Sequence, residues 1–220
     1  MKSMLKLMLV LAVGFASTFL ILNATGLLTL ERIIYWLELA QQSTPLLIGS
    51  IVALLLFLDL FVAIPTLTVM ILSGFFLGPF MGAIFSILGL SAAGFSGYGL
   101  SHRYGDKLAK FLIRDEEELV KAKRSFSRFS VGTILLSRAL PILPEVSACM
   151  AGLTRMPKSK FVFTWLLSTV PYAIIASYAG SISSQSNPKP AIFAAIGLTT
   201  FFWLSWVAYR YFVINKSTAR

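Results

Sequence analysis

Three ionisable residues lie within long apolar stretches of the sequence: Asp59, Arg138 and Glu145. A charged side chain near the centre of a bilayer costs roughly 2.5–3.5 kcal/mol on insertion scales, so such residues usually face a protein interior or a hydrated cavity. An arginine in such a place can bind a lipid phosphate through its planar fork of donors. A carboxyl group there can carry a proton. The alternative interpretation is an ion pair that only holds helices together.

The spacing of these residues relative to nearby prolines is repeated. Asp59 precedes Pro65 by six residues, and Arg138 precedes Pro144 by six. Because the two positions are equivalent and opposite in charge, the sequence predicts that Asp59 and Arg138 face each other and close a hydrated path. Glu145 is the predicted protonatable group of any mechanism that couples transport to protons.

Prolines and glycines interrupt both stretches. A proline removes a backbone donor and breaks a helix, which is tolerated at membrane depth only where the freed carbonyl groups find partners inside the protein. The sequence therefore predicts two broken, re-entrant helical hairpins. The residues predicted to shape them are Pro65, Gly74, Gly78, Pro141, Pro144 and Gly152.

The composition is that of a membrane protein. Of the 220 residues, 57% are hydrophobic and 13% are charged, with a mean hydropathy of +0.81, whereas soluble domains have about 45–50% apolar and about 25% charged residues. The net charge of +10 is expected from basic residues in membrane loops rather than from nucleic-acid binding. With one cysteine, Cys149, and one histidine, His102, the chain has too few soft ligands for a zinc or haem site, and no cofactor is predicted.

The predicted fold is an all-α polytopic membrane protein with one domain over residues 1–220. An inverted repeat of two re-entrant hairpins entering from opposite sides, flanked by transmembrane helices, is an architecture typical of transporters. Charge parity leaves open whether residues 46–78 re-enter or cross the membrane. The predicted segments are a span at 6–28, an interfacial helix at 30–42, a hairpin at 46–78, a span at 80–102, a basic amphipathic linker at 103–130, a second hairpin at 131–154, and spans at 161–180 and 191–214.

The distribution of Lys and Arg predicts the orientation. If both hairpins return to the side they entered, 16 of the 19 basic residues lie on the cytoplasmic side and two, Arg32 and Lys189, lie outside. If residues 131–154 instead crossed once, the division would be 11 against seven. The positive-inside rule favours the first arrangement, with both termini cytoplasmic.

One short motif raises the question of an enzyme. Residues 94–97 read GFSG, which resembles the GxSG motif of rhomboid intramembrane proteases. A nucleophilic Ser96 would need a histidine base within hydrogen-bonding reach. His102, six residues further along the same helix, is about 9 Å away along the axis and rotated by about 240°. We therefore predict no enzymatic activity.

Two runs of sequence resemble a known family. The run LSRALPILPEVSACMAGLTRMPKSKF resembles the signature of the DedA-like, VTT-domain membrane proteins, also labelled SNARE-associated. The run SGFFLGPFMGAIFSILGLSAAGFSGYGLSHRYG looks like their glycine-rich first half. The resemblance implies two facing re-entrant hairpins. For studied members it implies movement of lipids between leaflets, either phospholipid scrambling in eukaryotes or recycling of undecaprenyl phosphate in bacteria, with proton coupling proposed.

Site residues follow from this resemblance. Arg138 matches the essential hairpin arginine of the family, and Asp59 matches an acidic residue of the first hairpin. Bacterial DedA proteins tend to carry a second arginine after the prolines and a second acid in the first hairpin. This chain has Glu145 after Pro144 and only apolar or small residues after Asp59, which places it nearer the Tvp-like branch.

Three functions remain open from the sequence. The first is a lipid translocase or scramblase whose partners are membrane lipids with anionic phosphate headgroups. The second is a proton-coupled transporter of a small solute or ion, and the third is a non-transporting protein that organises the membrane. A homo-oligomer is compatible with the sequence. The short tails and the absence of a transit peptide favour a bacterial plasma membrane.

Overall fold

The computed structural model of the chain describes residues 8–9, 12–13, 17, 35, 44–62, 64–112, 116–140, 142–184, 187–209 and 211. The predicted span at 6–28 and the interfacial helix at 30–42 lie, apart from six residues, outside this described part, and so does Pro141. The described elements are α1 (Pro45–Leu58), α2 (Thr66–Leu112), α3 (Glu116–Leu135), a 3₁₀ helix (Ser137–Ala139), α4 (Leu143–Leu153), α5 (Lys158–Ser181) and α6 (Lys189–Tyr209).

The described segments are helical, as the composition predicts. Among the described residues, three helices are long and apolar enough to cross a membrane, namely the 66–105 part of α2, then α5 and α6. A helix needs about 20 apolar residues to cross a hydrocarbon core of about 30 Å. The chain is therefore a membrane protein of the all-α class. Its sidedness stays a prediction.

Helix α2 reverses direction at Gly78, which has φ 80° and ψ 174°. This backbone region is essentially restricted to glycine. The Ser73 hydroxyl donates to the Gly82 carbonyl at 3.1 Å, although nine residues of straight helix would separate the two by about 13.5 Å. The limbs 66–77 and 79–112 therefore pack against each other, and the turn lies at the predicted end of the first hairpin.

Helices α1 and α4 are too short to cross a bilayer. They contain 14 and 11 residues, which corresponds to about 21 Å and about 17 Å. Each adjoins a break in the helical structure. We name residues 59–65, between α1 and α2, the first break, and residues 136–142, between α3 and α4, the second break. These are the places where the sequence predicts re-entrant turns, and re-entry into the membrane stays a prediction.

Two apolar clusters form the core. One surrounds α4 and includes Phe126, Val146, Met150, Phe161 and Trp165. The other surrounds α1 and the first limb of α2 and includes Val52, Leu56, Met70, Leu90 and Tyr172. Helices α2 and α5 contribute to both clusters, so they join the two broken segments into one unit.

Glycines bring helices into backbone contact. A Cβ atom built on Gly74 would lie 1.9 Å from the Ser177 carbonyl oxygen, and one on Gly180 would lie 1.9 Å from the Ile71 carbonyl oxygen. These two pairs mark a close crossing between the first limb of α2 and α5. The small residues of this region therefore serve packing within the chain, as expected for membrane helices that approach closely.

The basic segment 103–130 is largely helical. Helix α2 continues through Arg103 to Leu112, and α3 begins at Glu116. Within the predicted basic amphipathic linker, Phe126 is fully buried in the cluster around α4. Helix α3 thus packs against the second broken segment.

Candidate functional site

A cavity of about 240 Å³ lies between the two breaks. It brings together Asp59, Arg138 and Glu145, which are 5%, 9% and 9% exposed. The sequence placed all three at membrane depth from their apolar surroundings, and the fold assembles them at one site. The other lining residues are Ile64, Pro65, Thr66, Leu67, Thr68, Ala139, Leu140, Ile142, Pro144, Tyr172 and Thr199.

Asp59 completes the first break. It follows the last residue of α1, and its Oδ1 accepts a hydrogen bond from the Ile64 backbone N–H at 2.8 Å. A break leaves backbone donors without helical partners, and a buried donor without a partner is costly. Asp59 therefore stabilises the turn that precedes Pro65, in addition to lining the cavity.

Arg138 belongs to the 3₁₀ helix of the second break. Its Nη2 donates to the Thr169 hydroxyl oxygen at 3.1 Å. The guanidinium carbon lies 5.3 Å from the Trp165 ring centre and 5.5 Å from that of Tyr172, distances at which an aromatic face attracts a cation. Within the described part of the chain, Arg138 Nε has no hydrogen-bond partner. Arg138 thus borders the cavity and keeps one guanidinium N–H without a partner among the described residues.

Glu145 lies in the first turn of α4, where Pro144 occupies one of the first two positions. The partial positive charge of a helix N-terminus favours an acidic side chain there. The carboxyl groups of Asp59 and Glu145 line the same cavity. Among the described residues, no cluster of three or more His, Cys, Asp or Glu offers a metal site.

The predicted direct pair between Asp59 and Arg138 is not formed. Of the described ion pairs within 4.0 Å, none joins Arg138 to Asp59 or to Glu145. Asp59 is within electrostatic reach of the arginine, but its hydrogen bond goes to its own segment, while Arg138 is held by α5. Both side chains line one cavity, but each has a nearer hydrogen-bond partner, and their joint role stays a prediction.

Sequence reasoning missed the residues that hold Arg138. Trp165, Thr169 and Tyr172 are spaced by four and three residues, which puts them on one face of α5. Trp165 is 3% exposed, Thr169 is fully buried and Tyr172 is 7% exposed. Polar and aromatic residues at helical spacing within a predicted span were the signal that could have revealed them.

The second break contains a strained residue. Ile142 has φ 69° and ψ −18°, the left-handed region that β-branched residues rarely adopt. Pro144 is the second residue of α4, and Pro65 directly precedes α2, where its carbonyl accepts the Val69 N–H. A proline thus lies at the start of the helix that follows each break.

Residues 64–182 match the family model of the VTT domain. The chain belongs to the VTT domain family. This confirms the resemblance to DedA-like, VTT-domain proteins. The matched range includes Arg138 and Glu145, and it also includes Trp165, Thr169 and Tyr172 of α5. Asp59 precedes the matched range by five residues.

The chain is also similar to a curated protein. The chain is 29% identical over 147 residues to undecaprenyl phosphate transporter A of Bacillus subtilis (strain 168). The alignment covers 64% of this chain and 74% of that protein. No solved structure matches the chain.

Proposed function

We propose that this VTT domain protein moves a lipid that carries a phosphate group between the two leaflets of a membrane, with Arg138 as the phosphate contact. The observation that carries the proposal is the environment of Arg138, which is buried at the cavity between the two breaks and keeps a guanidinium N–H without a partner among the described residues. Charge-assisted bonds from arginine to phosphate are about twice as strong as neutral ones.

The residues around Arg138 suit this role. Thr169 fixes one end of the guanidinium, and the rings of Trp165 and Tyr172 flank it. A side chain held in this way loses little conformational freedom when it binds an anion, because it is already ordered. The carboxyl groups of Asp59 and Glu145 border the same cavity. They offset the charge of Arg138 and so favour release of the phosphate after it has bound.

A polyprenyl phosphate is the proposed substrate class. The relative from Bacillus subtilis is named as an undecaprenyl phosphate transporter, and a phospholipid is the competing substrate. A cavity of about 240 Å³ has the volume of about eight water molecules. It accommodates a phosphate headgroup, so the apolar chain of the lipid would remain in the hydrocarbon region.

The path depends on the two breaks entering the membrane from opposite sides. This arrangement is supported by the short helices α1 and α4 and by the distribution of basic residues. It requires that exposed Ser127 and Ser159 lie on the same side of the membrane. Single cysteines at these positions, in a Cys149→Ser background, should react equally with an impermeant thiol reagent. Opposite accessibility would contradict re-entry of the second hairpin.

One observation favours a second function, a proton-coupled transport of a small solute or ion. Asp59 and Glu145 form a neighbouring carboxyl pair in the cavity, and such pairs carry protons in membrane pumps. Glu145→Gln removes the ionisable group and keeps the shape of the side chain. If Glu145 is the proton carrier, this variant should lose the pH dependence of transport. An unchanged pH profile would exclude that role.

The proposal is tested with purified protein in liposomes. Fluorescent polyprenyl phosphate and fluorescent phosphatidylcholine are incorporated in parallel, and dithionite is added to bleach the outer leaflet. Translocation is measured as bleaching beyond the outer half. We expect the wild-type protein to move the polyprenyl phosphate, and Arg138→Gln to reduce the rate by about thirtyfold or more, the equivalent of about 2 kcal/mol.

Two further variants distinguish loss of the phosphate contact from loss of folding. Arg138→Lys keeps the charge but loses the planar fork, so an intermediate rate is expected. Lys189→Gln removes a basic residue at the start of α6, which does not line the cavity, and should transport normally. Equal translocation by wild-type and Arg138→Gln proteins, with both folded and monodisperse, would refute the assignment of Arg138.

A further inference from the structure

A second cavity, of about 510 Å³, lies between α2 and α5. We name it the basic-aromatic cavity. Its apolar wall includes Phe95, Phe161 and Val162, and its basic side chains are His102, Arg103 and Lys158. None of the residues that line it takes part in the proposed contact between Arg138 and the lipid phosphate.

The lining combines two chemistries. The three basic side chains are exposed, whereas Phe161 is 1% exposed. None of the described residues that line the cavity is acidic. A soluble anion would gain nothing from the aromatic wall, and an uncharged lipid would gain nothing from the basic side chains. The charge and the apolar surface together fit a molecule with a phosphate group and a hydrocarbon chain.

The position of the cavity along the helices supports this choice. The apolar part of α2 ends at Gly105, and α5 begins at Lys158. Arg103 and Lys158 therefore lie at the ends of two membrane-spanning helices, where lipid headgroups are found and where basic side chains attract anionic lipids. Phe95 lies two turns deeper along α2, at the level of lipid chains.

A row of aromatic rings connects this cavity to Arg138. The Phe161 ring is stacked on Tyr98 with their centres 4.5 Å apart, and its centre lies 5.6 Å from that of Trp165. The other neighbour of Trp165 is the guanidinium group of Arg138, at 5.3 Å. A lipid in the basic-aromatic cavity would thus lie one ring away from the ring that flanks the proposed phosphate contact.

We propose that the basic-aromatic cavity binds a lipid phosphate, with the phosphate at Arg103 and Lys158 and the start of the chain against Phe95 and Phe161. The apolar surface open to the chain is that of Phe95 and Val162, which are 37% and 36% exposed. The cavity is a docking site from which the lipid reaches Arg138. This inference rests on the proposed function for the identity of the lipid, but the binding site itself can be tested without transport.

A substitution at Gly99 can fill the cavity. Gly99 lines it, and a Cβ atom built there would meet no atom within 4 Å. Gly99→Leu should therefore occupy the cavity without displacing a neighbour. Gly197 of α6 is exposed and equally free of neighbours, so Gly197→Leu is a matched control for adding the same side chain to a helix.

A second set of variants tests the basic side chains of the cavity. Arg103→Gln combined with Lys158→Gln removes two of the basic side chains of the cavity. Lys160→Gln combined with Lys189→Gln removes the same net charge from exposed positions that do not line it. This pair of double variants separates binding at the cavity from general attraction of a basic protein for anions.

The experiment measures lipid retention by native mass spectrometry of the full chain in detergent. Every variant is prepared in an Arg138→Gln background, so that the central cavity does not contribute. The probes are farnesyl phosphate, farnesol, dioleoyl phosphatidic acid and inorganic phosphate. We expect farnesyl phosphate to bind, and Gly99→Leu and the Arg103/Lys158 double variant each to raise its Kd about tenfold. Both controls should match the background.

Each outcome decides the inference. Equal Kd values for Gly99→Leu and Gly197→Leu would overturn it, as would farnesol binding as tightly as farnesyl phosphate. Inorganic phosphate that competes as well as farnesyl phosphate would show a site for free phosphate and also overturn it. Stronger binding of dioleoyl phosphatidic acid would support a lipid-phosphate site and identify a glycerophospholipid as its ligand.

The failure of this inference differs from failure of the proposed function. Lipid binding at the basic-aromatic cavity without any translocation in liposomes would refute the proposed function and leave the binding site. Translocation by the Gly99→Leu protein at the wild-type rate, in the presence of Arg138, would refute the docking site and leave the proposed function.

Discussion

The two breaks place ionisable side chains at the same cavity but hold them in different ways. Asp59 accepts a hydrogen bond from Ile64, five residues further along its own segment. Arg138 donates to Thr169, 31 residues away, and lies between two rings of the same helix α5. The first break is thus stabilised locally, and the second depends on tertiary packing. The difference indicates that Asp59 mainly shapes its own turn, whereas the position of Arg138 is set by α5.

The backbone shows the same contrast. In the second break Ile142 adopts a left-handed conformation, and in the described part of the first break no residue has a positive φ. A strained residue persists only where the surrounding structure determines its conformation, and such residues concentrate at functional sites. The second break is accordingly the one whose geometry serves the cavity.

The largest expected effect is a loss of folding stability where helices cross closely in the two broken segments. A Cβ atom on Gly74, on the first limb of α2, would lie 1.9 Å from the Ser177 carbonyl oxygen, and one on Gly152, in α4, would lie 2.2 Å from the Tyr98 carbonyl oxygen. Gly74→Ala and Gly152→Ala should each destabilise the protein by about 3 kcal/mol, because backbone atoms must move. Gly197→Ala, in open space, is the control.

This prediction is measured by unfolding in mixtures of dodecylmaltoside and sodium dodecyl sulfate. If only one of the two glycine variants were destabilised, the corresponding hairpin alone would depend on close helix approach. If neither variant were destabilised, the helices would not approach closely at Gly74 and Gly152.

A smaller effect is expected at Asp59 and tests whether the first break is held locally. Asp59→Ala removes the acceptor for the Ile64 N–H and should cost about 2 kcal/mol, since the donor is left buried without a partner. Asp59→Asn keeps an acceptor oxygen and should cost about 0.5 kcal/mol. Thermal unfolding in detergent compares the two. Equal losses of stability would mean that the charge of Asp59, rather than its hydrogen bond, stabilises the turn.

The strain in the second break predicts a gain of stability. Ile142→Gly relieves the left-handed conformation but also removes a lining side chain of the cavity. We expect a net stabilisation of about 1 kcal/mol, because the strain of such a residue is about 1–3 kcal/mol. Val62→Gly, in the first break and outside the residues that line the cavity, has no such strain to relieve and should be neutral or destabilising. A loss of stability in Ile142→Gly would contradict the prediction that the backbone of Ile142 is strained.

The smallest expected effect concerns the interaction across the cavity. In a double-mutant cycle of Asp59→Asn and Arg138→Gln, the coupling energy should be about 0.5 kcal/mol, the level found between residues without direct contact. A direct buried pair would show several times more, because removal of one partner leaves a buried charge unpaired. A coupling energy of about 2 kcal/mol or more would support the direct ion pair that the sequence predicts.

Local patterns in the sequence determined the class of the protein and the identity of the central residues. Apolar runs predict membrane helices, prolines predict the breaks, and the cost of charge at depth singles out Asp59, Arg138 and Glu145. These properties belong to short windows of sequence. They could therefore be predicted before the fold was known, and the family resemblance was confirmed.

Tertiary structure alone decided which side chains meet. Thr169 bonds to Arg138 across 31 residues, Ser177 approaches Met70 across 107, and Trp165 approaches the Leu90 carbonyl across 75. These contacts depend on how each helix is rotated and where it crosses its neighbours, and no short window of sequence encodes either quantity. For the same reason Asp59 and Arg138, which the sequence predicts as a pair, line one cavity but hydrogen-bond to different partners.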